Sequence, residues 1–195
     1  MHPVLLVLLL LFSCSGGRKL MDGERRLLSH HARPAWVDAP ELAGHSGIDV
    51  YCGISGDATT EHAAREAAQA NARQQAMVTI GHEAGMLVDR VIDPLAGSNG
   101  LLTPAGIQDG LSRLIVDGID GEEILKWHIQ RWETFDNGVT RKYFTAHCLL
   151  AVPDNEAHRL VVELLETRAQ GSEDPSVHAE VGLALKALEL LPDKE

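Results

Sequence analysis

The sequence predicts an α+β fold in two layers, with helices packed on a small antiparallel sheet. Three observations predict it. Glu123 to Phe135 and Val139 to Val152 alternate in polarity around Asp136-Asn137-Gly138, the pattern of an antiparallel hairpin. Ala64, Ala68, Ala72 and Ala76 recur every fourth residue, a helical stripe of small side chains that lets a helix lie close on a sheet. Two amphipathic runs then follow the hairpin, one from about Asn155 to Ala169 and one from Pro175 to Leu191.

The chain has 195 residues, 45% hydrophobic and 23% charged, which fits one globular domain with tails. Aromatic residues are only 4%, so the core must be built from Ala, Leu, Val and Ile. Lys and Arg number 17 against 28 Asp and Glu, a net charge of −11. That balance argues against a nucleic-acid partner, which requires clustered cations to neutralise phosphates.

The chain opens with Val4 to Phe12, nine apolar residues without a break. As a helix this run is about 13 Å long, less than half of the ~30 Å hydrocarbon core of a bilayer. It has the length of a signal-peptide core, and the small residues Ser13, Cys14, Ser15, Gly16 and Gly17 follow at once. Leu11-Phe12-Ser13-Cys14 resembles the bacterial lipobox. The resemblance implies that the Cys14 thiol is acylated, the bond before it is cut, and the new amino group is acylated. Several acyl chains on one residue would anchor firmly, where a single chain binds marginally. Ser15 after the cysteine, rather than Asp, resembles the pattern for outer-membrane sorting. A cysteine that merely neighbours an ordinary cleavage site, or an uncleaved segment, stays open. Residues 1–13 are therefore expected to be a signal peptide, and residues 14–33, poor in large apolar side chains, a lipidated and flexible tether.

Residues 34–170 are expected to form the folded domain, with residues 171–195 as a C-terminal helix. Pro34 forces an extended entry, and Trp36 is large enough to anchor a segment on a core. Ile48, Val50, Cys52 and Ile54 alternate with Asp49, Tyr51 and Gly53, predicting a half-buried strand with the first set on its apolar face. Thr59 and Thr60 are candidate caps for a helix from 60 to about 83. The run Met86 to Ile92 either continues that helix or switches to a strand. Asp93 to Thr103 is a Gly-rich loop, and Thr103-Pro104 opens another helix through Val116. In the hairpin, Leu125, Trp127 and Ile129 share one face, as do Phe144, Ala146, Cys148, Leu150 and Val152.

Pro34-Ala35-Trp36-Val37, the strand Val50-Tyr51-Cys52-Gly53 and the Ala/Arg-rich run Ala63 to Arg73 together resemble the Lpp-twenty-type bacterial lipoprotein family, as does the strand Tyr143 to Pro153. The similarity covers roughly residues 33 to 160. It implies an envelope lipoprotein, with some members linked to flagellar or outer-membrane assembly, and no known enzymatic activity.

Ten histidines raise the question of a metal. His82-Glu83 lacks the second histidine of a zinc-protease motif. His128 and His147 both fall on the hairpin face opposite the proposed core and would be neighbours if the register allows. They are expected to be solvated surface histidines rather than ligands. No phosphate loop, Gly-x-Ser-x-Gly elbow or paired acid/base carboxylates stand out, so neither catalysis nor a cofactor is expected. Cys52 and Cys148 would remain after lipidation. In an oxidising compartment they either form a disulfide or stay separate buried thiols, and strand order decides. The expected function is a non-enzymatic outer-envelope lipoprotein, held to the membrane through its lipid and contacting other envelope proteins. The alternative is a cell-wall or small-ligand binding module that uses the loop from Asp93 to Gly106.

Overall fold

The computed structural model describes residues 19–92, 102 and 104–191. The apolar leader, Cys14 and most of the loop from Asp93 to Gly106 lie outside the described residues. Four strands form one antiparallel sheet: β1 (Arg25–Leu27), β2 (Ile48–Ile54), β3 (Glu123–Asp136) and β4 (Val139–Pro153), in the order β1-β3-β4-β2. Four helices accompany it: α1 (Glu61–Ile92), α2 (Pro104–Asp117), α3 (Glu156–Gln170) and α4 (Pro175–Glu189). The fold is α+β, as the hairpin and the alanine stripe predict.

The hairpin closes on Asn137 and Gly138, whose φ angles of 49° and 78° give the double left-handed turn that matches strand twist. Trp127, Ile129, Phe144, Ala146 and Cys148 share the face toward α1, where Phe144 is half-buried. Leu125 does not join them. A bulge between Ile124 and Lys126 turns it to the opposite face, and Ile124 takes the position across from Leu150.

α1 runs 32 residues without a break, so Met86 to Ile92 continue the helix. Its stripe extends beyond the alanines through Ile80, Ala84, Val88 and Ile92, every one of them at most 2% exposed. Thr60 caps the start, its Oγ1 accepting the Ala63 N–H at 3.2 Å. The first half of α1 lies on β4 and β2, where Ala64 and Ala68 meet Ala146 and Cys148. The second half packs with α2, α3 and α4 in the main core, which includes Leu160, Leu165, Val181 and Leu188. α4 is thus built into the same core as α1 and α3, and residue 171 marks a turn between helices, not a domain edge. Asp174 caps α4 by accepting the Ser176 N–H, ahead of Pro175.

The inward face of β2 differs from expectation. Val50 and Cys52 pack on the side away from α1, while Tyr51 points into the main core and Gly53 faces the helix. The cause is contact distance. A Cβ at position 53 would lie 2.1 Å from the Ala68 carbonyl oxygen and 2.4 Å from the Ala72 nitrogen, so only glycine admits α1 so close. The outer edge of β2 is also covered by α1: the Asn71 Oδ1 accepts the Ile54 N–H at 3.0 Å, and Gln75 donates to the Cys52 carbonyl at 3.3 Å. Both contacts occupy backbone groups that an exposed edge would offer to another strand.

Part of the expected tether is likewise folded. Arg25, Arg26 and Leu27 pair with Thr134, Glu133 and Trp132 of β3. Edge pairing uses backbone groups, so this segment joins the sheet without the large apolar side chains whose scarcity suggested a tether.

Gly53→Ala is expected to cost at least about 3 kcal/mol, because the clash is with backbone that cannot rotate away. Gly56→Ala, which meets open space, should stay within about 0.5 kcal/mol. Denaturant unfolding of the two variants checks both.

Candidate functional site

The sheet face away from the helices carries the densest group of chemically able side chains. At the β1 side, Trp132 and Tyr143 stack with their planes 5° apart and centroids at 6.4 Å. The Arg25 guanidinium lies 4.8 Å from the Tyr143 ring centre, donates to the Tyr143 hydroxyl and pairs with Asp57 at 3.0 Å. Trp132 Nε1–H donates to Thr145 Oγ1 at 3.1 Å.

Farther across, the register sets His128 directly opposite His147, with ring centroids 5.7 Å apart. Alternation places them together, but they are not solvated. They are only 6% and 3% exposed. Nε2 of His128 and both ring nitrogens of His147 are buried and make no well-formed hydrogen bond, although the His128 backbone still favours the charged form of His147. Burial and then the nearby Arg33 guanidinium hold both imidazoles below the ordinary histidine range. His31 adds to this at His128. At His147 the charge of His128 adds to it, while the His128 carbonyl and Asp38 partly offset it.

The N-terminal segment covers this face. Leu28 N–H donates to the Arg131 carbonyl at 2.8 Å, tying the start of the segment to β3. Pro34 is extended, a 3-10 turn follows at Ala35–Val37, and Trp36 and Val37 seat on Leu149 beside Val50, Cys52 and Leu125. Arg33 pairs with Asp38 at 2.7 Å across that turn. Sequence alternation alone identified the histidine neighbours. It missed their burial, because the cover comes from a segment with only two buried side chains, Trp36 and Val37.

The two cysteines stand on neighbouring strands, yet they do not face each other. Cys148 lies opposite Gly53, one position from Cys52. A one-residue offset reverses the side-chain direction, so Cys148 faces α1 and Cys52 faces the N-terminal segment. Both are free thiols. Burial pushes the Cys148 thiol up to about 11 and raises that of Cys52 as well.

Elsewhere, a cavity of about 880 Å³ opens between the second half of α1, the start of α3 and Leu191. Met86, Leu87 and Ala157 line it together with Arg90, Asp154 and His158. Among the described residues no group of three or more His, Cys, Asp or Glu is placed to hold a metal ion. The buried carboxylate of Glu156 is engaged structurally, accepting from Arg159 and from the Asp120 N–H. No helix among the described residues is long and apolar enough to cross a membrane.

No family model, no curated protein and no solved structure matches the chain. The fold and the buried histidine face therefore define it as an α+β domain whose N-terminal segment is folded back over the sheet.

Alkylation of the unfolded protein without reductant should modify both Cys52 and Cys148. In the native protein at mildly alkaline pH, Cys148 should stay unmodified for longer than Cys52, as its burial and raised titration require. Peptide mass mapping reads both results.

Proposed function

We propose that the protein is a non-enzymatic lipoprotein of the bacterial outer envelope, anchored through acylated Cys14 and acting through contacts with other envelope proteins. The observation that carries this reading is the run from Val4 to Phe12 ending in Ser13-Cys14, too short to span a bilayer and shaped like a lipobox. The likeness of Pro34 to Val37 and Ala63 to Arg73 to the Lpp-twenty-type lipoproteins supports the same compartment. Asp22 accepts the Asn137 N–H at 2.7 Å, and Gly23 donates to the Phe135 carbonyl. Residues 22 and 23 are thus tied to the turn of the β3–β4 hairpin.

The cavity between α1 and α3 favours a second reading, a module that binds a small ligand or a cell-wall fragment. Its wall combines apolar Met86 and Leu87 with charged Arg90 and Asp154, the mixture a polar ligand with an apolar part requires. Saturable binding of soluble cell-wall fragments, lost on Arg90→Glu, would favour this reading over the first.

Cys14→Ala should release the protein from membranes or leave it as unprocessed precursor. Fractionation and intact-mass analysis check this. A mature wild-type protein that starts elsewhere and carries no acyl mass contradicts it.

A further inference from the structure

The two histidines beneath the N-terminal segment have no role in the anchoring function proposed above, and the inference drawn from them does not require lipidation. Three buried ring nitrogens in one place without a well-formed hydrogen bond are unusual, because buried polar groups in native proteins are almost always hydrogen-bonded. As neutral imidazoles they are tolerable. As cations they would be two like charges with ring centres 5.7 Å apart, shielded from water.

We propose that His128 and His147 form an acid-sensitive latch, in which their protonation unseats the segment around Arg33 to Asp38 from the sheet and frees the N-terminal arm. The charged surroundings set the direction. The covering segment brings Arg33 and His31, both of which oppose a positive charge, and Asp38, already paired with Arg33. β2 contributes the Cys52 thiol, held neutral by burial. On β3, Lys126 is exposed to solvent. Protonating the pair therefore gathers cations under the segment against the single carboxylate of Asp38.

The segment is a weak element by comparison with what lies beneath it. It is seated through Trp36 and Val37 and a 3.8 Å contact from Cys52 Sγ to the Val37 carbonyl. α1 on the other face is seated along its whole stripe. Acid thus acts first where charge accumulates and packing is thinnest. Opening returns the imidazoles to solvent, where they titrate near about pH 6.5. The closed form binds fewer protons than the open form, so closure is fully favoured above that value and weakens as pH falls below it.

Cys52 and Cys148 report the two faces of the sheet separately. In the full chain, labelling with a dipyridyl disulfide, which stays reactive in acid, is followed from about pH 7.5 to about pH 5 by peptide mass mapping. The latch predicts that Cys52 labelling accelerates by up to about tenfold per pH unit for each proton taken up, while Cys148 stays protected. The double variant His128→Gln/His147→Gln should lose that acceleration while keeping the far-ultraviolet spectrum of the wild type. Should the double variant fail to fold, His147→Gln alone should at least halve the acceleration. Cys52 labelling that does not change with pH overturns the latch. So does simultaneous exposure of Cys52 and Cys148, which would mean global unfolding, and so does an acid response that survives removal of the histidines.

Discussion

The structure depends on how closely α1 approaches the sheet. Alanines at 64, 68, 72 and 76, each fully buried, bring the helix backbone down onto β4 and β2, and Gly53 removes the one side chain that would hold it off. At that spacing Asn71 and Gln75 reach the outer edge of β2 and satisfy its backbone, so the same helix covers a face and closes an edge. A 32-residue helix is about 48 Å long, far more than the contact with two strands requires. Its remainder, from Ile80 onward, supplies the surface on which α2, α3 and α4 assemble. The second core therefore exists because the first one positions its central helix.

Placing all four helices on one face leaves the other face of the sheet to a few residues of the N-terminal segment. That asymmetry explains the distribution of chemistry. The fully buried side chains of the helix face are mainly Ala, Leu, Val and Ile, with Tyr51, Trp127 and Phe144 partly buried against them. The opposite face gathers Trp132, Tyr143, the histidine pair and Cys52, and is covered by Trp36 and Val37. The fold thus carries a firm helical layer on one face of the sheet and, on the other, a thinly held cover seated through Trp36 and Val37.

Much of the fold was legible because the informative signals are local. Asp136-Asn137-Gly138 specifies its turn through backbone angles, and the i, i+4 alanines specify a helix face whatever the rest of the chain does. What was not legible depends on tertiary contact. Alternation in β2 is equally compatible with either face turned inward, and the choice is made by Gly53 meeting Ala68 and Ala72 from another element. Leu125 left its expected face because of a bulge, which leaves no mark on alternation over so short a span. The cysteine relation turned on a one-residue offset between strands far apart in sequence. The histidines were placed as neighbours, but their burial depends on where Trp36 and Val37 seat, and the sequence marks Trp36 as an anchor without saying which face of the sheet it meets.

The contact between the first half of α1 and strands β4 and β2 organises the molecule. Native-state amide hydrogen exchange tests it most directly. Amides of Ala68 to Ala76 and of Cys148 to Leu150 should exchange slowest of all and only through global unfolding, with α2 and α4 opening earlier. Exchange in the first half of α1 that is as fast as in α2, or slowest protection located in α3 and α4, would contradict it.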